Sequence, residues 1–108
     1  MATVVLTPDA VRDLADLPRR IIARMDNLLE RLREWPDVSG AKSLRGKLAG
    51  RYRLRTGDYR LQFRIAQERR IIKVHRTTEK KTVFEQQEIA EIKVIVEKVG
   101  HRDGFYDE

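Results

Sequence analysis

Residues 51–64, RYRLRTGDYRLQFR, leave the chain little choice of local structure. Apolar and charged side chains alternate on both sides of Gly57-Asp58. Strand side chains point to opposite faces with period two. A Gly-Asp pair supplies the positive φ that a two-residue hairpin loop requires. The expected register pairs Thr56 with Tyr59, Arg55 with Arg60, Leu54 with Leu61, Arg53 with Gln62, Tyr52 with Phe63 and Arg51 with Arg64. One face then carries Tyr52, Leu54, Tyr59, Leu61 and Phe63, a core face. The other carries Arg51, Arg53, Arg55, Arg60, Gln62 and Arg64. Like charges directly opposite each other destabilise a sheet by a few tenths to about 1 kcal/mol per pair. Such a face suits a partner with many negative charges; the plain alternative is a solvated face balanced by acids from elsewhere in the chain.

The charge distribution sharpens that expectation. The net charge of the 108 residues is +6. Residues 38–75 hold eleven Lys and Arg against two acids, a local net of +9 that exceeds the total. Residues 1–37 are nearly neutral, and residues 76–98 match five bases with five glutamates. A basic band on an otherwise balanced chain points to an anionic partner. The absence of cysteine excludes disulfides, thiol nucleophiles and thiolate metal sites, and fits a reducing compartment. No stretch has the length and apolarity of a membrane span, and the N-terminus lacks the pattern of a signal peptide. A cytoplasmic protein without membrane contact is expected.

Along the chain, TVVL at 3–6 is a short strand candidate. TPDA follows, with Thr7 suited to a helix N-cap, Pro8 to the first turn and Asp9 to the positive end of the helix dipole. Val11, Leu14 and Leu17 give that helix its apolar positions. Pro18 interrupts it and opens a second helix over about 18–34, whose stripe is Ile21, Met25, Leu28 and Leu32. EWP ends it, because a residue before proline avoids the helical region. Residues 36–50 are expected as a long loop anchored by Leu44 and Leu48. QERR after the arginine hairpin is expected as a turn, RIIKVHR at 70–76 as a strand, and EIKVIVEKVG at 91–100 as the last strand. The segment 77–90 fits either an extended hairpin or a short helix from about Val83 to Glu91. The expected architecture is α+β: an N-terminal strand and a helical hairpin packed on a mainly antiparallel sheet of four to five strands.

No phosphate-cradling glycine loop, no G-x-S-x-G and no H-E-x-x-H occurs. His75 and His101 lie far apart in sequence with no obvious third ligand, so neither a metal nor another cofactor is expected. His75 fits an ordinary strand position. The chemistry-bearing groups are the arginine face, the neighbouring Lys42, Arg45 and Lys47 of the loop, and the C-terminal GHRDGFY. If the last strand lies beside the hairpin, its end brings His101, Arg102 and Tyr106 to the rim of the face. Arginines grip phosphate bidentately and stabilise charge developing on phosphorus. Histidine or tyrosine can move a proton.

TPDAVRDLADLP, GAKSLRG, YRLRTGDYRLQFRI and VEKVGHRDGFY, in this order, resemble the RelE/ParE superfamily of bacterial type II toxins. The resemblance covers residues 1–66 and 92–106 and leaves residues 67–91 as an insertion within a single domain spanning 1–108. It implies a compact toxin partnered by a cognate antitoxin in a hetero-oligomer. RelE-like members cut mRNA in the ribosomal A site; ParE-like members poison DNA gyrase. The RelE-like pattern is matched here by Arg53, Arg55, Arg60, Arg102 and Tyr106, which favours an mRNA endonuclease working without metal. A gyrase inhibitor and a non-catalytic relative that only binds RNA or antitoxin are the alternatives. Some relatives carry lysine at the positions of Arg53 and Arg55. Arginine stays protonated, so phosphate positioning is the expected role of Arg53, Arg55 and Arg60. Proton transfer falls to Tyr106 or His101, and Lys42, Arg45, Lys47, Arg51 and Arg64 are the expected RNA-contacting cations.

Overall fold

The computed structural model describes residues 1–105. The elements run β1 (Thr3–Leu6), α1 (Pro8–Ala15), α2 (Arg19–Leu32), β2 (Lys42–Ser43), a single 3₁₀ turn at Gly46–Leu48, β3 (Arg51–Thr56), β4 (Tyr59–Thr77) and β5 (Thr82–His101). One five-stranded sheet has the order β1-β5-β4-β3-β2; β1 is parallel to β5 and every other pair is antiparallel. No described helix is long and apolar enough to cross a membrane.

Local chemistry accounts for the helices. The Thr7 side chain accepts from the Ala10 amide at 3.1 Å, Pro8 occupies the first turn, and Asp9 sits at its positive end. Pro18 stands immediately before α2 with extended backbone, which its fixed φ permits. The four stripe residues of α2, Ile21, Met25, Leu28 and Leu32, are all buried. They meet Leu54, Leu61, Phe63, Val94, Val96 and Val99 from the sheet in one core. The helices therefore cover one face of the sheet and leave the other open.

The β3–β4 register matches the expected pairing at all six positions. Gly57 has φ of 59°, and among the described residues no non-glycine residue has a positive φ. Only the first loop position needs the left-handed region, as in a type II′ turn.

Two expectations give way, and the open choice at 77–90 resolves to the extended hairpin. QERR is not a turn: β4 runs without a break through residues 67–70 to Thr77. The segment has no glycine or proline to break it, and its charges find partners across the ladder. Glu68 meets Lys93 at 2.9 Å, Arg69 meets Glu88 at 3.4 Å and Arg70 meets Glu91 at 3.2 Å. Residues 83–91 are strand, not helix, so β4 and β5 form a hairpin arm closed by a turn in which Thr78 and Lys81 exchange hydrogen bonds. The chain measures 65 Å along its longest axis, and Ile71 and Phe84 stand exposed on the arm. The loop 36–50 also contains β2, whose Lys42 and Ser43 pair with Arg53 and Tyr52.

Glu91 ties the arm to β1. Its carboxylate accepts from Arg70 and from the Thr3 hydroxyl at 3.1 Å, and these hydrogen bonds, Arg70 first, hold its pKa below the ordinary value. A carboxyl with a lowered folded pKa stabilises the fold above its ordinary pKa and loses that contribution as pH falls through the folded value. Glu91→Gln is expected to be less stable than the parent at pH 7, with the gap closing in strong acid. Urea unfolding at both pH values measures it; an equal gap at each pH contradicts the assignment.

Candidate nucleic-acid interface

The face opposite the helices carries the arginines in ranks across the strands. Paired residues of neighbouring strands share a face. One rank is Arg51–Arg64–Ile95, the next Lys42–Arg53–Gln62–Lys98, and the third Arg55–Arg60–Gly100. The ranks differ in their counter-charge. Arg51 Nε lies 2.8 Å from Glu97 Oε1, and Arg64 Nε lies 3.7 Å from Glu97 Oε2. Among the described residues, Lys42, Arg53, Arg55 and Arg60 have no carboxylate partner. The Nε of Arg60 is moreover buried without any hydrogen-bond partner. Beyond Arg64 the same face is balanced, by Glu68 with Lys93 and Arg70 with Glu91. The uncompensated charge is thus concentrated at the turn end of the β3–β4 hairpin.

A β-bulge built by α1 sets this pattern. Leu61 pairs with Val99 but Phe63 pairs with Val96, so one extra residue of β5 falls between them. An extra residue bends the strand and re-aims its side chains. Val94, Val96 and Val99 all reach the core, while Glu97 and Lys98 turn to the basic face. The backbone groups at the bulge are met from α1. The Thr7 hydroxyl donates to the Glu97 carbonyl at 3.2 Å, and the Val99 amide donates to Asp13 Oδ2 at 3.1 Å. Glu97 and Lys98 are site residues that period-two reading misses. The signal was present in VIVEKV, where the apolar spacing switches from two to three.

The C-terminal candidates divide. Lys98 Nζ lies 4.6 Å from the centroid of the Phe105 ring, and a Cβ on Gly100 would lie 3.4 Å from that ring. Gly100 and Lys98 both belong to the basic ranks, so the buried Phe105 packs on that face. Arg102 is tied to the hairpin turn: its amide donates to the Asp58 carbonyl at 2.7 Å, and its guanidinium lies 3.7 Å from both Asp58 and Asp103. His101 does not join the arginines. It pairs with Tyr59, and the two rings meet edge to face at 5.1 Å on the helix side of the sheet. Its Nδ1 accepts from the Asp103 amide at 3.1 Å. Arg45 and Lys47 are exposed beside the 3₁₀ turn, past the β2 edge, with no pairing that puts them in a rank. His75 sits in the arm beside Phe84. Tyr106 lies outside the described residues.

The domain is thus a helical hairpin covering one face of a small sheet, with guanidinium groups that lack carboxylate partners on the other. Its relatives supply the family. Residues 4–81 match the ParE toxin of type II toxin-antitoxin system, parDE, and the chain belongs to that family, within the RelE/ParE superfamily of type II toxins. It is similar to a chain in the crystal structure of the toxin-antitoxin complex RelBE2 from Mycobacterium tuberculosis. The identity is 30%, the TM-score 0.64, and the match covers 94% of this chain and 98% of that one. No curated protein matches it.

Proposed function

We propose that this toxin is a ribosome-dependent mRNA endonuclease whose basic face grips the transcript. The observation that carries the reading is the cluster of Arg53, Arg55 and Arg60, left without carboxylates beside a rank that Glu97 partly compensates. Unpaired guanidinium groups on one rigid face can hold a phosphodiester and stabilise charge developing on it without reorganising. The 2′-oxygen attacks the adjacent phosphorus and the bond to the 5′-oxygen breaks. The products are a cyclic phosphate and a free 5′-hydroxyl, and no metal is required.

Arginine cannot take the 2′ proton. We assign that step to Tyr106, the residue after Phe105, which itself packs on the basic face. His101, on the other side of the sheet, is the weaker candidate. Lys42 completes the phosphate-binding rank with Arg53. A cognate antitoxin is proposed to neutralise the toxin by covering this face, in keeping with the complex in which the solved relative was captured.

The match to the ParE family favours a second reading, inhibition of DNA gyrase without catalysis. Induced expression separates the two. Primer extension on an abundant transcript is expected to show cuts in phase with codons, while plasmid supercoiling stays normal. Loss of supercoiling without cuts refutes the nuclease reading. Absence of both, with normal growth, assigns the chain to non-catalytic binding.

A further inference from the structure

We infer that Gln62 is a specificity-determining residue that reads the base next to the phosphate held by Arg60, and that the base it prefers is adenine. The inference rests on the nuclease reading above. Gln62 is the one neutral polar member of its rank, between Arg53 on β3 and Lys98 on β5, with Arg60 and Arg64 before and after it on the same face of β4. Only 7% of it is exposed, making it the buried polar residue of the described chain. Its side chain has no hydrogen-bond partner among the described residues. The side chain is more than nine-tenths buried while its amide atoms keep contact with solvent, so the amide is open to a ligand. Two positions away, the Arg60 Nε is buried without any hydrogen-bond partner. An unpartnered amide and a buried, unsatisfied guanidinium nitrogen on one face of one strand, about 7 Å apart by strand rise, mark a place made for a ligand absent from the free chain.

The chemistry of the pair identifies that ligand. A guanidinium takes a phosphate. A primary amide offers a donor and an acceptor side by side, which matches the N6 amino group and N7 of adenine better than any charged partner. A phosphate seated on Arg60 leaves the neighbouring base over Gln62, within a single nucleotide's span.

Mapping the 5′ ends of cut transcripts after induction of the full chain tests this. The parent is expected to cut preferentially beside adenine. In Gln62→Leu, cutting at adenine sites is expected to fall about tenfold or more relative to cutting elsewhere, the discrimination of a lost bidentate contact. Gln62→Asn keeps the amide and is expected to retain part of the preference. A Gln62→Leu profile identical to the parent's overturns the inference while leaving the nuclease reading intact. Loss of all cutting in both variants, with unchanged melting temperatures, also overturns it, because Gln62 would then serve the reaction and not the choice of base. A parent that makes no cuts overturns both.

Discussion

Arg60→Leu is expected to lose at least about a hundredfold in transcript cleavage and growth inhibition while melting at or above the temperature of the parent. For activity, a preorganised donor aimed at developing charge is worth roughly 10²–10³ in rate when removed. Arg60 stands at the centre of the uncompensated ranks, opposite Arg55 and beside Gly100. For stability, its guanidinium is a burden on the free chain. The Nε is buried without a partner, an expense of about 1–3 kcal/mol, and the cation faces Arg55 directly across the ladder. Leucine keeps the apolar stem and removes both penalties. Sites that bind charge are commonly held at the expense of stability. A melt of the purified variant beside a primer-extension assay reads both halves. A variant that cuts at the parental rate refutes the role of Arg60. One that melts well below the parent refutes the account of its burden.

The same tension explains which features the sequence disclosed. The hairpin at Gly57-Asp58 was fully legible, since a glycine with positive φ and strict alternation leave one register. The α2 stripe was legible because helical period and burial agree. The arm was not. Its QERR segment is polar and reads as a loop, and only the pairing of Glu68, Arg69 and Arg70 with Lys93, Glu88 and Glu91 on a distant strand makes it β. Such pairs cannot be seen within a window of one strand. The bulge hid for a related reason. Glu97 looked like one more charge in a balanced segment, yet one shifted residue brings it under Arg51 and Arg64, which it partly compensates, while Arg53, Arg55 and Arg60 keep no carboxylate. The placement of His101 away from the arginine face follows from parity alone. Its place two residues past Val99 keeps it on the helix side, against Tyr59, whatever the proximity of the tail suggests.

Phe63→Ala is expected to be the most damaging single change to the fold, lowering stability by about 3–5 kcal/mol. Phe63 is fully buried in the middle of β4. Its ring stacks on Tyr52 of β3 at 5.5 Å and meets Trp35, just past α2, edge-on at 5.4 Å. Tyr52 and Trp35 are themselves in contact at 4.8 Å, so the three rings close a cluster between the helix end and the arginine hairpin. Truncation forfeits the transfer free energy of the ring and leaves a cavity that two large aromatic neighbours cannot collapse to fill. A domain of this size is stable by about 5–15 kcal/mol, so the loss consumes a large fraction of the whole. It corresponds to a fall in melting temperature of roughly 10–25 °C. The functional effect follows from the pleat. Phe63 lies between Gln62 and Arg64, and its anchoring in the core holds both on the outer face. Phe63→Leu keeps most of the volume and is expected to lose less stability while retaining cleavage. If Phe63→Ala unfolds within about 1 kcal/mol of the parent in urea, the aromatic cluster is not what fixes the hairpin to the helices, and the geometry of the basic face must be held from its β1 side instead.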